Sequence, residues 1–387
     1  LRYTHFIKNK WFAGSHYNAK SASNVPPLSE IEVEEIFNKI SPFAFEKVSK
    51  ELKAQLRYPF HIQWYYQLRE EFPDFESYTN IVHFEIIAKF ISEKVYNSTY
   101  STEKVLFCKK IIHLTSYGQN TFSVRKEVLI KEISIFKNAY HELISDGILM
   151  EEKQIENGFT YEHVRFVMPH IFEYFIFIEL HDIRGQQMDE RFFHHINNRY
   201  WGNQSRFQIL QWSARLLVKL NRLRELDILL NLELSNYERN YLLHFVAENI
   251  KYTYRSDRKL ANEIDLKEIH RMFIGHLMHF DFIDSCYKEA ITCLIEVADS
   301  DQTALIYNTA LAIFDCLSLD QSQILLRLQK LEALNKEGIN WFINPYDAVN
   351  LVYARIWGQP ELNSKVLQTI KDFTDLKNKF IFISKFI

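Results

Sequence analysis

Nine glycines and eight prolines in 387 residues leave this chain few places to turn sharply. Average usage would supply about 7% glycine and about 5% proline, more than twice what is present. These residues make tight turns, short strands and the backbone-lined loops that cradle phosphates. A chain poor in both is expected to cover its length in long helices joined by brief connections. Its aromatic content of 15%, with 31 Phe and 21 Tyr, points to a core rich in rings.

Charge and cysteine usage narrow the class. A net charge of −3 gives no electrostatic case for a dedicated nucleic-acid binder. Cys108, Cys286, Cys293 and Cys316 show neither CxxC nor Cys/His ligand spacing, so reduced thiols in a cytoplasmic protein are expected, with no metal site. No apolar run reaches the roughly 18 residues that span a bilayer, so no membrane partner is expected. The densest run, IFEYFIFIEL at 171–180, carries Glu173 and Glu179 and reads as a buried helix. The opening LRYTHF lacks both Met and the pattern of a signal peptide, so the chain is expected to be the back half of something larger.

Periodicity organises the rest. Residues 1–27 are irregular and end in the linker SASNVPP. Residues 28–118 read as a small helical domain, with helices over 28–40, 44–56, 60–71, 78–96 and 102–116. Ser29 can cap the first, and its acidic opening turn suits the positive end of a helix. Residues 119–185 change texture. TFSVRKEVLI at 121–130 looks like a short helix, and a stronger one over 134–150 ends at Asp146-Gly147 as a C-cap. An alternating stretch then surrounds Asn157-Gly158, the strongest short hairpin signal. Helix, helix and two-stranded wing make a winged-helix arrangement. Residues 186–387 read as helices alone, over 189–200, 204–222, 224–235, 237–254, 261–280, 283–298, 301–317, 320–336, 345–357 and 360–385, paired about every 35–40 residues in the manner of a TPR- or HEAT-like array. The predicted fold class is therefore mainly α: a helical bundle, a winged-helix domain with a small β-wing, then an α-helical repeat array.

Catalytic signatures are missing from the sequence. It contains no GxxxxGK[ST], HExxH, GxSxG or kinase motif set, so the chain alone is expected not to be an enzyme. His194 and His195 are adjacent and point about 100° apart on a helix, which suits a shared metal poorly. His270, His276 and His279 read as partly exposed residues on a helix edge. The stretch 201–225 is locally basic, with Arg206, Arg215, Lys219, Arg222 and Arg224, and reads as a solvated face paired with Glu225 and Asp227. The second helix of the winged-helix stretch offers Lys137, Asn138, His141 and Glu142, a poor face for DNA phosphates.

The order of pieces resembles the C-terminal part of a STAND NTPase of the NACHT type. VPPLSEIEVEEIF (25–37) is similar to the stretch after that family's last core strand. LRYPFHIQWYYQL (56–68) resembles its small helical domain, AYHELISDGIL (139–149) its winged-helix core, and FVMPHIFEYF (166–175) its Phe, His and Glu-Tyr-Phe pattern. The resemblance implies an adenine contact at Pro59 and a sensor arginine at Arg2 facing a γ-phosphate. Arg57 stands where the family usually has glycine, and Met168 where it has a phosphate-contacting histidine. His163 and His170 flank that position and complete the cofactor-binding candidates. The family implies no cofactor within this chain and ATP or ADP in the full-length protein. It also implies a partner on the helical array and homo-oligomerisation on activation. The alternative from the residues is a DNA-associated regulator with a winged helix and a helical protein-interaction domain.

Overall fold

A computed structural model describes residues 28–40, 45, 48, 52–53, 56–57, 59–71, 78, 81–115, 122–203, 205–256, 261, 264–279, 282–283, 285–317 and 321–334. The linker over 1–27, most of the helix expected at 44–56, and the helices expected at 345–357 and 360–385 lie outside those residues. The chain is mainly helical with a small antiparallel sheet, and it divides into two compact units, Leu1–Ser213 and Ala214–Ile387.

The first unit opens on α1 (Glu30–Ile40). Ser29 Oγ accepts the Glu32 amide at 3.2 Å, and the Glu32 carboxylate accepts the Ser29 amide at 2.7 Å. This reciprocal capping box satisfies two amides that a helix start otherwise leaves open. Those bonds hold the Glu32 carboxyl below the usual carboxylate range. The helix buries Val33 and Phe37, and the Phe37 ring sits 5.3–5.4 Å from Phe45, Tyr65 and Tyr66. Helices α2 (Pro59–Glu71), α3 (Ile81–Ile91) and α4 (Ser101–Leu114) follow, with α3 continuing into one wide π turn, Ser92–Tyr96.

Next come β1 (Ser123–Arg125), α5 (Ile130–Ile135), α6 (Lys137–Ser145), β2 (Leu149–Glu156) and β3 (Phe159–Phe166). The helix expected over 121–130 is thus a strand followed by a 3-10 turn, Lys126–Leu129. Ser-Val-Arg alternates polar, apolar, polar, and Val124 is buried against Val164 of β3, a pairing no local signal reveals. The helix expected over 134–150 is interrupted at Phe136, whose φ of −105° and ψ of 37° leave the helical region and separate α5 from α6.

Two expectations hold as made. α6 closes with the Ile148 amide on the Leu143 carbonyl (3.0 Å) and Gly147 at φ +74°, a Schellman cap. The β2–β3 turn is Asn157-Gly158 with φ of +51° and +83°, the pair of positive values a type I′ hairpin requires. The sheet order is β1-β3-β2, all antiparallel. Then α7 (Pro169–Ile183), α8 (Glu190–Arg199) and α9 (Ser205–Lys219) carry the chain onward.

The second unit holds α10 (Leu223–Leu230), α11 (Asn236–Ser256), α12 (Leu266–Leu277), α13 (Lys288–Leu294), α14 (Asp301–Leu317) and α15 (Gln321–Leu334). Chain neighbours pack: α10 on α11, α13 on α14, α14 on α15. α11 is buried nearly all round from Leu242 to Thr253, as suits a central helix. Helices alone were expected here, but β4 (Met278–His279) and β5 (Phe282–Ile283) form a short antiparallel hairpin. The sequence HFDFI alternates with a period of two, which the surrounding helical pattern hides. The helix expected over 283–298 shrinks accordingly to α13 and two flanking 3-10 turns. Among the described residues no helix is long and apolar enough to cross a membrane.

Candidate functional site

The first turn of α7 gathers the most chemistry. Pro169 starts the helix, with Met168 extended before it and buried. One turn on, Glu173 points inward and is only 5% exposed. One carboxylate oxygen lies 3.0 Å from His170 Nδ1, and the other accepts the Ser205 hydroxyl at 3.4 Å. The His170 ring meets the His83 ring of α3 edge-on, with centroids 4.1 Å apart. His83 is half-buried by area, yet both its nitrogens are sealed from water and lack a hydrogen-bond partner. Burial, then His170 and His61 nearby, holds its pKa well below the usual histidine value. It is therefore a neutral imidazole at physiological pH.

Beside Glu173 opens a cavity of about 440 Å³. Phe122, Phe166 and Phe172 form its apolar wall, with Phe172 centroids 5.4 Å from Phe122 and 5.6 Å from Phe166. Phe122, at the entrance, is 44% exposed. Arg165 lines another side, its Nε donating to Glu152 at 2.7 Å and its Nη1 to the Phe166 carbonyl at 3.1 Å. The turn into α9 closes the cavity with Gly202, Asn203 and Ser205, where Asn203 Oδ1 accepts the Ser205 amide at 2.9 Å. A buried carboxylate and a fixed guanidinium in one apolar-walled space form a binding arrangement, able to orient a polar ligand by its charges.

The cofactor-binding candidates fall as follows. Arg2 lies outside the described residues. Pro59 is the first residue of α2. Arg57 accepts the Leu28 amide on its carbonyl and donates its Nε to the Leu28 carbonyl, both at 2.7 Å, tying the entry to α1 to the start of α2. His163 sits within β3 at 4% exposed, with Nδ1 3.2 Å from Ser123 Oγ and Nε2 3.0 Å from Glu156, though not aligned for a hydrogen bond. It belongs to a cross-strand network with Arg125, whose guanidinium bonds Glu156 and lies 4.0 Å over the Tyr161 ring. Among the described residues His170 reaches the cavity's surroundings, through Glu173.

Elsewhere, His270 is buried rather than on a helix edge, 2.9 Å from the Tyr307 hydroxyl and 3.0 Å from the Val297 carbonyl, and burial lowers its pKa. His276 pairs with Asp227 at 2.6 Å. Burial raises the thiol pKa of Cys108, and pushes that of Cys293 up to about 12, so neither is a ready nucleophile at neutral pH.

Glu173, Arg165, Ser205 and His83 were not singled out as site residues from sequence. One signal existed: a glutamate within a strongly apolar helix must be satisfied or used. No family model, curated protein or solved structure matches this chain.

Proposed function

We propose that this chain is the regulatory and partner-recognising portion of a STAND-type switch NTPase. In this reading it closes over a nucleotide held by a P-loop domain and senses a partner through its helical array. The observation that carries it is the element order α4, β1, α5, α6, β2, β3 with sheet order β1-β3-β2. A helix, a strand, two helices and a hairpin whose inner strand pairs with the first strand support a winged helix at the place the resemblance requires. The Pro-started α7 and a run of further helices follow in the expected sequence. In this reading Arg2 and Pro59 face the nucleotide, the protein acts in the cytoplasm, and activation leads to homo-oligomers.

The surroundings of α6 favour a structural winged helix over a DNA reader. Asn138 bonds the Tyr100 hydroxyl, Glu142 and Asp146 are engaged by Lys104, and the exposed face of α6 carries one basic residue of the Lys/Arg type, Lys137, a poor donor set for phosphates. On the neighbouring strands Glu151 and Glu162 hold Lys126 between them at 3.1 and 3.0 Å, which occupies a lysine that could otherwise meet a phosphate. Calorimetric titration of ATP and ADP into this chain and into the full-length protein tests the switch. Binding by the full-length protein, weakened by Pro59→Ala, is expected; a full-length protein that binds neither nucleotide ends the reading.

A further inference from the structure

The cavity beside Glu173 is lined by one carboxylate and one guanidinium among phenylalanine rings, and its donors and acceptors are incompletely used. A carboxylate accepts about four hydrogen bonds. Among the described residues Glu173 has two polar neighbours, His170 and Ser205, the second at the long distance of 3.4 Å. No arginine or lysine pairs with it there, although it is buried, and buried charge is costly unless matched. Arg165 uses Nε and Nη1 and retains the Nη2 edge, while Glu152 holds the guanidinium plane in place. Asn203 spends its oxygen on the Ser205 amide, which leaves its side-chain NH₂ to donate. The start of α9, a helix of 15 residues, lies beside Glu173 through Ser205. The remaining wall is Phe122, Phe166, Phe172, Pro169 and Gly202.

We propose that this cavity binds a free α-amino acid with an apolar, preferably aromatic, side chain. The ammonium group takes the open acceptor positions of Glu173. The α-carboxylate meets the Nη2 edge of Arg165 and the Asn203 amide. The side chain lies against Phe122, Phe166 and Phe172, where ring-on-ring packing at 4.5–7 Å is favourable. A volume of about 440 Å³ is at the small end of ligand sites and suits a single amino acid rather than a peptide. This inference is independent of the nucleotide reading, because the cavity can fill or stay empty whatever ATP does.

Three ligands that differ only in charge decide it. L-phenylalanine carries both groups, phenethylamine only the ammonium and 3-phenylpropionate only the carboxylate. Calorimetry on the intact chain is expected to show L-phenylalanine binding at least about tenfold more tightly than either half-ligand, the effect of one charge-assisted contact. Glu173→Gln is expected to weaken L-phenylalanine and phenethylamine and to spare 3-phenylpropionate; Arg165→Gln is expected to weaken L-phenylalanine and 3-phenylpropionate and to spare phenethylamine. A purely structural role for either residue would weaken all three ligands alike, and that pattern overturns the proposal. If a variant does not fold, the wild-type series still decides: equal binding of the three, or no binding of L-phenylalanine, overturns it.

Discussion

Lys104 has a side chain only 1% exposed, and it is well partnered. Its ammonium donates to the Lys94 carbonyl at 2.8 Å and pairs with Glu142 at 2.8 Å and Asp146 at 3.2 Å, fastening α4 to the end of α6. The two carboxylates are partly exposed, so water can recover them when the lysine is lost. Lys104→Ala is therefore expected to lower stability by about 2 kcal/mol, below the value for a fully buried pair, and Lys104→Met by less. Urea unfolding followed by tryptophan fluorescence measures both. His83 sets a second expectation. Its unfolded pKa lies near the usual value of about 6.5 and its folded pKa well below. Between those values the unfolded chain binds more protons, so stability falls as pH drops below about 6.5. His270, lowered in the second unit, acts in the same direction. His83→Leu should flatten part of the slope in urea midpoint between pH 7 and 5; an unchanged slope would show that His83 is not sealed from water.

At the scale of elements, start and stop signals carry much of the order. The box at Ser29 is repeated at Ser235, whose hydroxyl accepts the Glu238 amide at 3.3 Å while Glu238 accepts the Ser235 amide at 3.2 Å. Ser235→Ala is expected to cost about 1 kcal/mol, read as a lower unfolding midpoint of the unit containing α11. Gly147 has open space around its Cα, so only its left-handed backbone resists a side chain. Gly147→Ala should destabilise the first unit by about 1 kcal/mol, whereas Gly275→Ala, within α12 with equal space and outside the left-handed region, should be neutral or stabilising. Equal effects at the two positions would remove the backbone explanation. Elements lacking such signals were the ones misread. β1 is three residues long, and β4 and β5 two each, so their alternation is too brief to compete with a helical pattern around them.

For the whole molecule, the net charge of −3 and the acids about α6 and the hairpin predict that the chain binds duplex DNA no better than a neutral control protein in low salt. Fluorescence anisotropy with a labelled duplex checks this. Strong binding that falls steeply with added salt would instead favour a DNA-associated regulator. Helical class, the Ser29 cap, the C-cap at Asp146-Gly147 and the Asn157-Gly158 hairpin were legible in the residues, because each rests on contacts within about one or two turns. The hairpin and the helix before it were read from local periodicity, whereas β1 and its turn were not, and His163 is held between Ser123 and Glu156 only through cross-strand pairing. The cavity could not be read at all. Glu173 and Ser205 stand 32 residues apart and Arg165 belongs to a different element, so their meeting depends on how α7, α9 and the sheet pack. Local pattern therefore determined which helices and turns form, while only the tertiary structure decided which polar groups those helices bury together, since burial is a property of neighbours brought close by folding rather than of neighbours in the chain.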